Sequence, residues 1–531
     1  LTLPWLNSFS PGPTPSVAPL LVSWACVALL VLTRAPLAGA ATRLALPGAV
    51  AALFFGAALW RTGLPPGAEV LALGMSLLAM LACALRFAGA DQADGRVVAR
   101  AWLLAGLVSA VMGALQYTGV AHALAPWVSP ANLGDAFGNL RQRNHYASLT
   151  SIALCALLWL ARHDDVFRRP LPVLLPAVLL AAGNALSHSR TGLFQLLLIL
   201  GLAWLWGLYR ERAARWVLAP LLPVYLLTAL AMPVLIPGGA HAGIFTRLSE
   251  GAPSCASRTT LWSNVFDLIR LEPWSGWGWG RLDYAHFATL YDGPRFCDIL
   301  DNAHNLPLHL AVELGLPVAV ILCGAALWAV LRLQPWREAD PLRQLAWAVL
   351  AVMGLHSLLE YPLWYGPFQM AAGICLGLLV VAPRQTGARR PFAALGLAVL
   401  LAAGVGLAAL DYHRARQIYL SSEERDAGFA DQTLEKSREA WIFRDQVRFA
   451  ELTTTPLERA NAEWTLGAAT ALLRFSPEPR VIEKAVESAV MLGRDDEALQ
   501  LLARFRAAFP KEHASWADAL RRPLAAPEDA E

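Results

Sequence analysis

Polar residues that could carry chemistry are concentrated in five short segments of an otherwise apolar chain. The segments are GNLRQRNHYAS (138–148), NALSHSRTGLFQ (184–195), CASRTTLWSNVFDLIRLEPWSGWGWG (255–280), DNAHNLPLHLAVELGLP (301–317) and HSLLEYPLWY (356–365). Together they supply several arginines, a histidine at the start of an apolar stretch (His304), and Glu360 and Tyr361 at a corner broken by proline. Polar groups next to apolar stretches are costly to keep at membrane depth, so we treat them as functional candidates.

Arginine and histidine side chains of this kind suit transfer of a group from a phosphate to an alcohol. A guanidinium group presents a planar fork of donors to phosphate oxygens and stays charged at any working pH. Fixed guanidinium groups also stabilise the negative charge that a departing pyrophosphate gains. A neutral imidazole at His304 could take the proton of the attacking hydroxyl. The loops that carry these segments hold no DxD or ExD pair and no cluster with metal-ligand spacing, so we expect neither a metal nor a cofactor.

Each candidate also has a structural explanation. Arg141 and Arg143 could be interfacial anchors that extend toward the headgroups. Arg190 could form an ion pair with Glu360 or Glu313, and the histidine at 304 could be no more than a helix cap. The other histidines are expected to pack or hydrogen-bond, and the tryptophans to form an interfacial belt or stack on a sugar; these residues are His188, His309, His356, Trp274, Trp277 and Trp279.

The elements that must position these residues are membrane helices. Of the 531 residues, 56% are hydrophobic and 16% are charged. Residues 1–410 hold 26 Arg, no Lys and 18 acidic residues, whereas 411–531 hold 14 Arg, 3 Lys and 22 acidic residues. The first part has too few charges for the surface of a water-soluble domain, so we interpret 1–410 as a transmembrane domain and 411–531 as a soluble one.

Composition also excludes several classes of protein. The net charge is +3 without a basic run, so a nucleic-acid partner is not expected. Seven cysteines without paired CxxC motifs exclude a zinc ribbon or a dense disulfide framework.

Twelve stretches are apolar over about the 20 residues that a helix needs to cross a bilayer. They are 17–33, 37–60, 67–87, 97–119, 145–162, 170–186, 192–209, 215–236, 303–332, 340–361, 364–382 and 392–410. We therefore expect an all-α polytopic membrane protein with about twelve transmembrane helices.

Arginine placement predicts the side that each loop faces, because short cytoplasmic loops retain positive charge. Of the 26 arginines in 1–410, 17 lie in alternate loops that we assign to the cytoplasm. The five polar segments, the large 237–302 loop and the tail then lie on the opposite side. The N-terminus falls there too, and the opening LTLPWLNSFSPGPTPS is typical of a helix end followed by a Pro-rich turn. We therefore expect a further helix upstream, unless the span count is off by one.

The tail is predicted to be helical. Residues 481–509 show two apolar-periodic helices joined at Gly493. GRDDEALQLLARFRAAFP resembles the second half of a tetratricopeptide-type repeat, although no second copy occurs at a fixed period. The tail could either cap the membrane domain or dock a protein acceptor.

On these residues, the sequence resembles the O-antigen ligase superfamily and, within it, the bacterial O-linked protein glycosylation ligases. RQRNHYA, SHSRTG, SRTTLW…PWSGWGWG, AHNLPLHLAVELG and EYPLWY are similar to motifs of that superfamily and occur in its order across about 138–382. The RQRNH segment and the EYPLWY corner are more similar to the protein-glycosylating branch than to the lipopolysaccharide-core ligases.

The resemblance implies a many-spanning, metal-independent glycosyltransferase of the C type. Such an enzyme lies in the bacterial inner membrane with its site facing the periplasm. It transfers a preassembled glycan, with inversion, from undecaprenyl pyrophosphate to Ser/Thr hydroxyls of pilin-like periplasmic proteins.

The resemblance also assigns roles to particular residues. His304 is the candidate base, and Arg190 and Arg258 are candidates for holding the pyrophosphate. Gln142 and the tyrosine of EYPLWY match further positions needed for transfer, and we favour Tyr361 over Tyr365 because it is closer to the helix end. From placement alone we add four substrate-binding candidates: Arg141, Arg143, Asn305 and Glu360.

Three further points remain as hypotheses. Cys255 and Cys297 are the two cysteines placed clearly outside the membrane, so an oxidising periplasm would allow a disulfide that closes a loop around Arg258. The same chemistry could instead ligate a glycan to lipid A-core or polymerise it. A transporter of lipid-linked glycan is a third function, but transporters use midplane polar groups and inverted repeats, whereas here the charged motifs crowd one face and no repeat relates the halves.

Overall fold

The computed structural model describes residues 1–10, 12–34, 39–62, 65–236, 253–380 and 391–521, and within these ranges it contains helices and no strand. The helices of seven or more residues in the first part are α1 (Val17–Leu32), α2 (Ala45–Thr62), α3 (Ala68–Phe87), α4 (Gln92–Tyr117), α5 (Arg143–His163), α6 (Pro170–Leu186), α7 (Arg190–Leu205), α8 (Arg212–Leu218), α9 (Leu221–Leu235), α10 (Arg258–Leu271), α11 (Leu282–Ala288), α12 (Leu306–Leu314), α13 (Leu316–Leu333), α14 (Pro341–Ser357), α15 (Gly366–Leu378) and α16 (Pro391–Arg416). The tail adds α17 (Arg444–Thr454), α18 (Ala462–Leu472), α19 (Pro479–Met491), α20 (Asp495–Ala508) and α21 (Pro510–Arg521).

The predicted all-α membrane fold is confirmed. Among the described residues, seven helical stretches are long and apolar enough to cross a membrane, and α1, α6, α7 and α15 are shorter apolar helices. Each of the twelve predicted spans overlaps a helix or two consecutive helices among the described residues, and the number of helices that cross the membrane remains a prediction. The chain is therefore a multi-pass membrane protein.

The limits of several predicted spans differ from those of the helices by a few residues, and two of these differences affect the architecture. The span predicted at 303–332 is broken at Gly315, where φ is +84°, a conformation that suits glycine because it has no Cβ. Apolar composition continues across the break, so hydropathy could not reveal it. The span predicted at 392–410 continues to Arg416, which places the expected domain boundary between 410 and 411 inside α16.

The centre of the main bundle is α5, which is buried almost throughout its length. Its neighbours reach it closely because they present small residues: a Cβ on Gly106 of α4 would lie 2.3 Å from Ala153. Small residues also allow α15 to pack closely on α3, where Gly373 and Gly377, one turn apart, lie against the backbone of α3. Small residues at this spacing let membrane helices pack backbone to backbone.

A second, smaller apolar cluster lies beside this bundle. It joins side chains of α2 and α13 with those of α10, α11 and α12 from the 253–314 region, and Leu261, Leu268 and Val312 are buried in it. The residues between α9 and α13 therefore pack as a folded unit, in so far as they are described, and this unit carries His304.

The tail is attached to both of these bodies. The carboxylate of Asp411, in the last turns of α16, accepts hydrogen bonds from the backbone N–H groups of Trp441, Ile442 and Phe443 at 2.8, 2.7 and 2.9 Å. On the other side, Phe287 of α11 is buried in the apolar core that α18, α19 and α20 form. The tail is thus fixed to a membrane helix and to the large loop at once.

Candidate functional site

Two copies of the tripeptide Ser-Arg-Thr begin helices of the site. Ser189 caps α7 by accepting the N–H of Gly192 at 3.0 Å. Ser257 caps α10 in the same way by accepting the N–H of Thr260 at 3.2 Å. In each case the arginine is the first residue of the helix, where backbone N–H groups and the helix dipole also favour an anion.

The second of these arginines belongs to a three-residue link. Arg258 donates from Nη2 to one carboxylate oxygen of Glu360 at 2.6 Å, and the other oxygen lies 2.7 Å from Nδ1 of His304. Glu360 lies beyond the end of α14 and its side chain is only 11% exposed, whereas that of Arg258 is 40% exposed. One carboxylate therefore joins segments that are distant in the sequence.

The electrostatics of the link favour an ionised Glu360. Burial alone would raise its pKa, but the hydrogen bond from His304 and the nearby charges of His304 and Arg258 lower it below the ordinary value. For Arg258, burial lowers the pKa most, Glu360 raises it, and the charge of Arg190 lowers it further. Arg190 is therefore close enough to Arg258 for the two charges to interact. It is exposed.

The hydrogen bond to Glu360 involves only one of the two ring nitrogens of His304. With Nδ1 bound to the carboxylate, the neutral ring carries its proton there and leaves the Nε2 lone pair free. Nε2 makes no hydrogen bond to any described residue. Arg258 uses one donor on Glu360, and its other N–H groups have no described partner, so they could bind phosphate oxygens.

The backbone around His304 is held in an uncommon conformation. His304 has φ of +49°, which is uncommon for a residue with a Cβ and is found where the surroundings enforce it. Its N–H donates to Oδ1 of Asn302 at 2.8 Å. Asn305 caps α12 and also donates from Nδ2 to the carbonyl of Leu358 at 3.1 Å. The amide of Asn305 thus ties the start of α12 to the corner that carries Glu360.

The two tyrosines of the corner have different neighbours. The ring of Tyr361 lies 5.2 Å from the ring of His304 in an edge-to-face contact. Tyr365 instead packs 3.9 Å from the ring of His145, within the bundle. Burial raises the pKa of Tyr361, so its hydroxyl stays protonated. The preference for Tyr361 remains a prediction, and its contact with His304 supports it.

The WSGWGWG loop is fixed to the end of α12 by Glu313. The fully buried carboxylate of Glu313 accepts the N–H groups of Gly280 and Arg281 at 3.0 and 3.2 Å, and it contacts His309 at 3.2 Å. Backbone N–H groups of Trp277 and Gly278 donate to carbonyls of α12. The loop therefore determines where α12 lies, and so where the His304 segment at its start lies.

Three candidates lie in a separate cluster at the start of α5. Gln142 caps α5, accepting the N–H of His145 at 2.7 Å. Arg141 donates to the carbonyl of Ser8 at 2.6 Å, and Arg143 pairs with Asp135. None of them has a hydrogen bond or ion pair to His304, Glu360 or Arg258 among the described residues. They reach the site through Asn144, which accepts from Ser189 at 2.6 Å.

Other sequence expectations can be compared with these contacts. The suggested ion pair of Arg190 with Glu360 or Glu313 is wrong, since neither pair is present among the described residues, where Arg258 and His304 contact Glu360 and His309 contacts Glu313. Cys255 and Cys297 are joined by a disulfide, with Cα atoms 5.3 Å apart, next to the helix that begins at Arg258. No three His, Cys, Asp or Glu side chains of the described residues are grouped as metal ligands.

Sequence reasoning missed two features. Asn302 was not singled out, although an Asn two residues before a strained position is a known turn signal. The buried contact of His145 with His356, with ring centroids 5.3 Å apart, was missed as well. Nothing in the spacing of these two histidines indicates that contact.

Comparison with known proteins assigns the class. Residues 175–323 match the O-antigen ligase family, residues 136–161 match the protein glycosylation ligase family, and residues 344–522 match the family described as virulence factor membrane-bound polymerase, C-terminal. The resemblance to membrane proteins of the O-antigen ligase and protein glycosylation ligase type is thereby confirmed.

A curated relative gives a more specific likeness. The chain is 24% identical over 273 residues to the general O-oligosaccharyltransferase of Acinetobacter baylyi (strain ATCC 33305 / BD413 / ADP1). The match covers 48% of this chain and 45% of that protein, so the chain spans about half the length of this relative.

Proposed function

We propose that the chain is a glycosyltransferase of the bacterial inner membrane, with its site facing the periplasm. It transfers a preassembled glycan from undecaprenyl pyrophosphate to Ser/Thr hydroxyls of periplasmic, pilin-like proteins. The observation that carries the proposal is the link from Arg258 through Glu360 to His304, which aligns an anion-binding cation with a free imidazole nitrogen.

The link suggests how the reaction proceeds. Arg258 and Arg190 bind the pyrophosphate oxygens and stabilise the charge that develops on them. The acceptor hydroxyl oxygen forms a bond to the anomeric carbon while the bond from that carbon to the pyrophosphate oxygen breaks. The hydroxyl proton passes to Nε2 of His304, and the bonding electron pair leaves with the pyrophosphate. Glu360 holds the ring and stabilises the imidazolium that forms.

Co-expression with a lipid-linked glycan and a pilin tests this function. Intact-mass analysis of periplasmic proteins should show glycan on the pilin only when the chain is present. His304→Ala should lower the transfer rate by roughly 100-fold or more, the contribution expected of a general base. His122→Ala removes an exposed histidine elsewhere and should leave transfer unchanged. Turnover by His304→Ala at the wild-type rate would overturn the base role.

A second candidate is glycan polymerisation or ligation to lipid A-core. The match of residues 344–522 to a membrane-bound polymerase family favours it. In that case a sugar hydroxyl replaces the protein hydroxyl at His304. A lipopolysaccharide ladder or lengthened glycan without glycosylated pilin, in the same co-expressing cells, would support this candidate against the first.

A further inference from the structure

A cavity of about 1600 Å³ lies between the tail, the large loop and the membrane helices. Its lower part is walled by apolar side chains of α1, α3 and α16. Its upper part, which we call the tail chamber, is lined by tail residues, among them Trp441, Gln446, Trp464, Gly467, Leu472 and Phe475. The tail therefore does more than cover the membrane domain, because it encloses space.

The inner end of the cavity reaches the candidate site. Tyr361, Asp301 and Asn302 line it. Each of them adjoins His304: Tyr361 through its ring at 5.2 Å, Asn302 through its hydrogen bond, and Asp301 next to Asn302 in the chain. Arg258 and Glu360 do not line the cavity. The order of contacts therefore runs from Arg258 through Glu360 and His304 to Tyr361 and the cavity.

The outer end opens on the tail. A second hollow of about 500 Å³ between α18 and α20 shares Glu463, Gly467, Ala471 and Arg474 with the cavity. A path thus leads from the tail surface, along α18, to the ring of Tyr361. A path that runs along a helix from the surface to the site can hold an extended chain.

Gln446 lies in the wall of the tail chamber, with its amide oxygen buried behind the chamber surface. Gln446 is 9% exposed, and its Oε1 has no hydrogen-bond partner among the described residues. A buried amide oxygen without a donor is costly, and a rotation of the Gln446 side chain toward the chamber would let Oε1 accept a backbone N–H there. The remaining tail wall combines apolar residues, including Ile442, Phe443 and Ala468, with charged ones, including Arg444. A polypeptide carries both apolar and charged side chains and can match such a wall, whereas sugar hydroxyls lose hydrogen bonds against its apolar part.

We propose that the tail chamber binds an extended segment of the acceptor polypeptide and delivers its hydroxyl past Tyr361 to His304. This inference rests on the proposed function. An inverting displacement requires the hydroxyl to enter on the face opposite the leaving group. Arg258 does not line the cavity, so the arginine and the chamber offer separate contacts for donor and acceptor beside His304.

Gly467 offers a way to fill the chamber without disturbing the fold. It lies within α18, and a Cβ built on it meets nothing within 4 Å. Gly467→Trp should obstruct the path while improving helix propensity. Gly428→Trp is the matched control, because Gly428 also lies in the tail, also has open space at its Cβ and lines neither hollow.

The experiment measures binding and transfer separately, with full-length protein in proteoliposomes. The probe is the fluorescently labelled soluble domain of the pilin used for co-expression. Gly467→Trp should weaken its binding, and raise its KM, by roughly tenfold or more, as overfilling a packed site does. The KM for the lipid-linked donor should not change. Gly428→Trp should match the wild type in both.

Each outcome distinguishes this inference from the proposed function. Loss of pilin binding in Gly467→Trp alone supports the inference even if no glycan is transferred, a result that would refute only the function. Equal pilin binding by all three proteins, or by none, overturns the inference. A raised donor KM with unchanged pilin binding also overturns it and identifies the glycan as the occupant.

Discussion

Replacing Glu360 with glutamine tests the central link of the site. The glutamate accepts two charge-assisted hydrogen bonds, at 2.6 Å from Arg258 and 2.7 Å from His304. Glutamine keeps one acceptor oxygen but turns an N–H group toward the other partner. Glu360→Gln should therefore lose at least one hydrogen bond and the charge that orients the imidazole.

The size of the effect follows from the exposure of the two partners. The side chain of Arg258 is 40% exposed and that of His304 is 22% exposed, so solvent screens the arginine's share more strongly. A hydrogen bond to a charged group contributes about 1.5–3 kcal/mol. If this is lost in the transition state, kcat should fall roughly 10- to 150-fold. The fall should be larger in kcat than in 1/KM for the donor, because His304 acts on the chemical step.

The assay is glycan transfer in proteoliposomes, with Glu338→Gln as control. Glu338 pairs with Arg343 at 2.7 Å and is 12% exposed, close to the 11% of Glu360, but it lies in another part of the chain. Glu338→Gln should leave kcat unchanged. A folded Glu360→Gln protein that retains kcat within about twofold of the wild type, well below the expected loss, would refute the positioning role of Glu360.

The pH dependence of stability gives an independent measurement. Because the pKa of Glu360 is lowered in the folded protein, its contribution is fully present above the ordinary glutamate pKa and is lost as pH falls through the lowered value. The difference in Tm between the wild type and Glu360→Gln should be constant at neutral pH and shrink only below about pH 4. A difference that already shrinks near pH 6 would contradict the lowered pKa.

Three further predictions concern the rest of the site. Cys255 and Cys297 are 42 residues apart, so Cys255→Ser should lower stability by up to about 4 kcal/mol through loop entropy; the loss should appear as a lower Tm, and Cys26→Ser should show none. Gly276 has φ of +64°, and a Cβ there would lie 2.4 Å from the α12 backbone. Gly276→Ala should therefore cost at least about 1–2 kcal/mol and reduce transfer, unlike Gly293→Ala, whose Cβ meets nothing. Transfer should also survive EDTA because arginines carry the charge; activity lost to EDTA and restored by a divalent ion would contradict this.

The sequence predicted the helical membrane class because a long apolar stretch in a bilayer must be helical. It also placed Glu360 and His304 among the candidates, since a polar group beside an apolar span is costly enough to be noticed, and the family resemblance added Arg258. It did not predict that one carboxylate joins the other two residues. The partners are separated by 102 and 56 positions, and hydropathy contains no information on such contacts. For the same reason, the ion pair suggested for Arg190 with Glu360 or Glu313 was wrong.

The limits of α12 and α13 show a second kind of failure. Apolar residues continue through Gly315, so a window of about 20 residues detects a single span. The break depends on the loop backbone at Trp274, which approaches within 2.3 Å of where a Cβ of Gly315 would be. Only the packed structure contains that information.

The hydrogen bonds that Asp411 accepts from the backbone of residues 441–443 also determine how the tail is oriented about α16. An α-helix turns by about 100° for each residue, so one residue inserted into or removed from α16 would swing this carboxylate by more than a quarter of a turn. The tail would then either lose its hydrogen bonds to Asp411 or rotate away from Phe287 of the large loop, which packs in its core. Most membrane spans tolerate a change in length because they can tilt. In α16, however, the hydrogen bonds of Asp411 also fix the rotation of the helix about its axis. The rotation of α16 about its own axis, rather than its length, therefore fixes the orientation of the tail relative to the membrane domain.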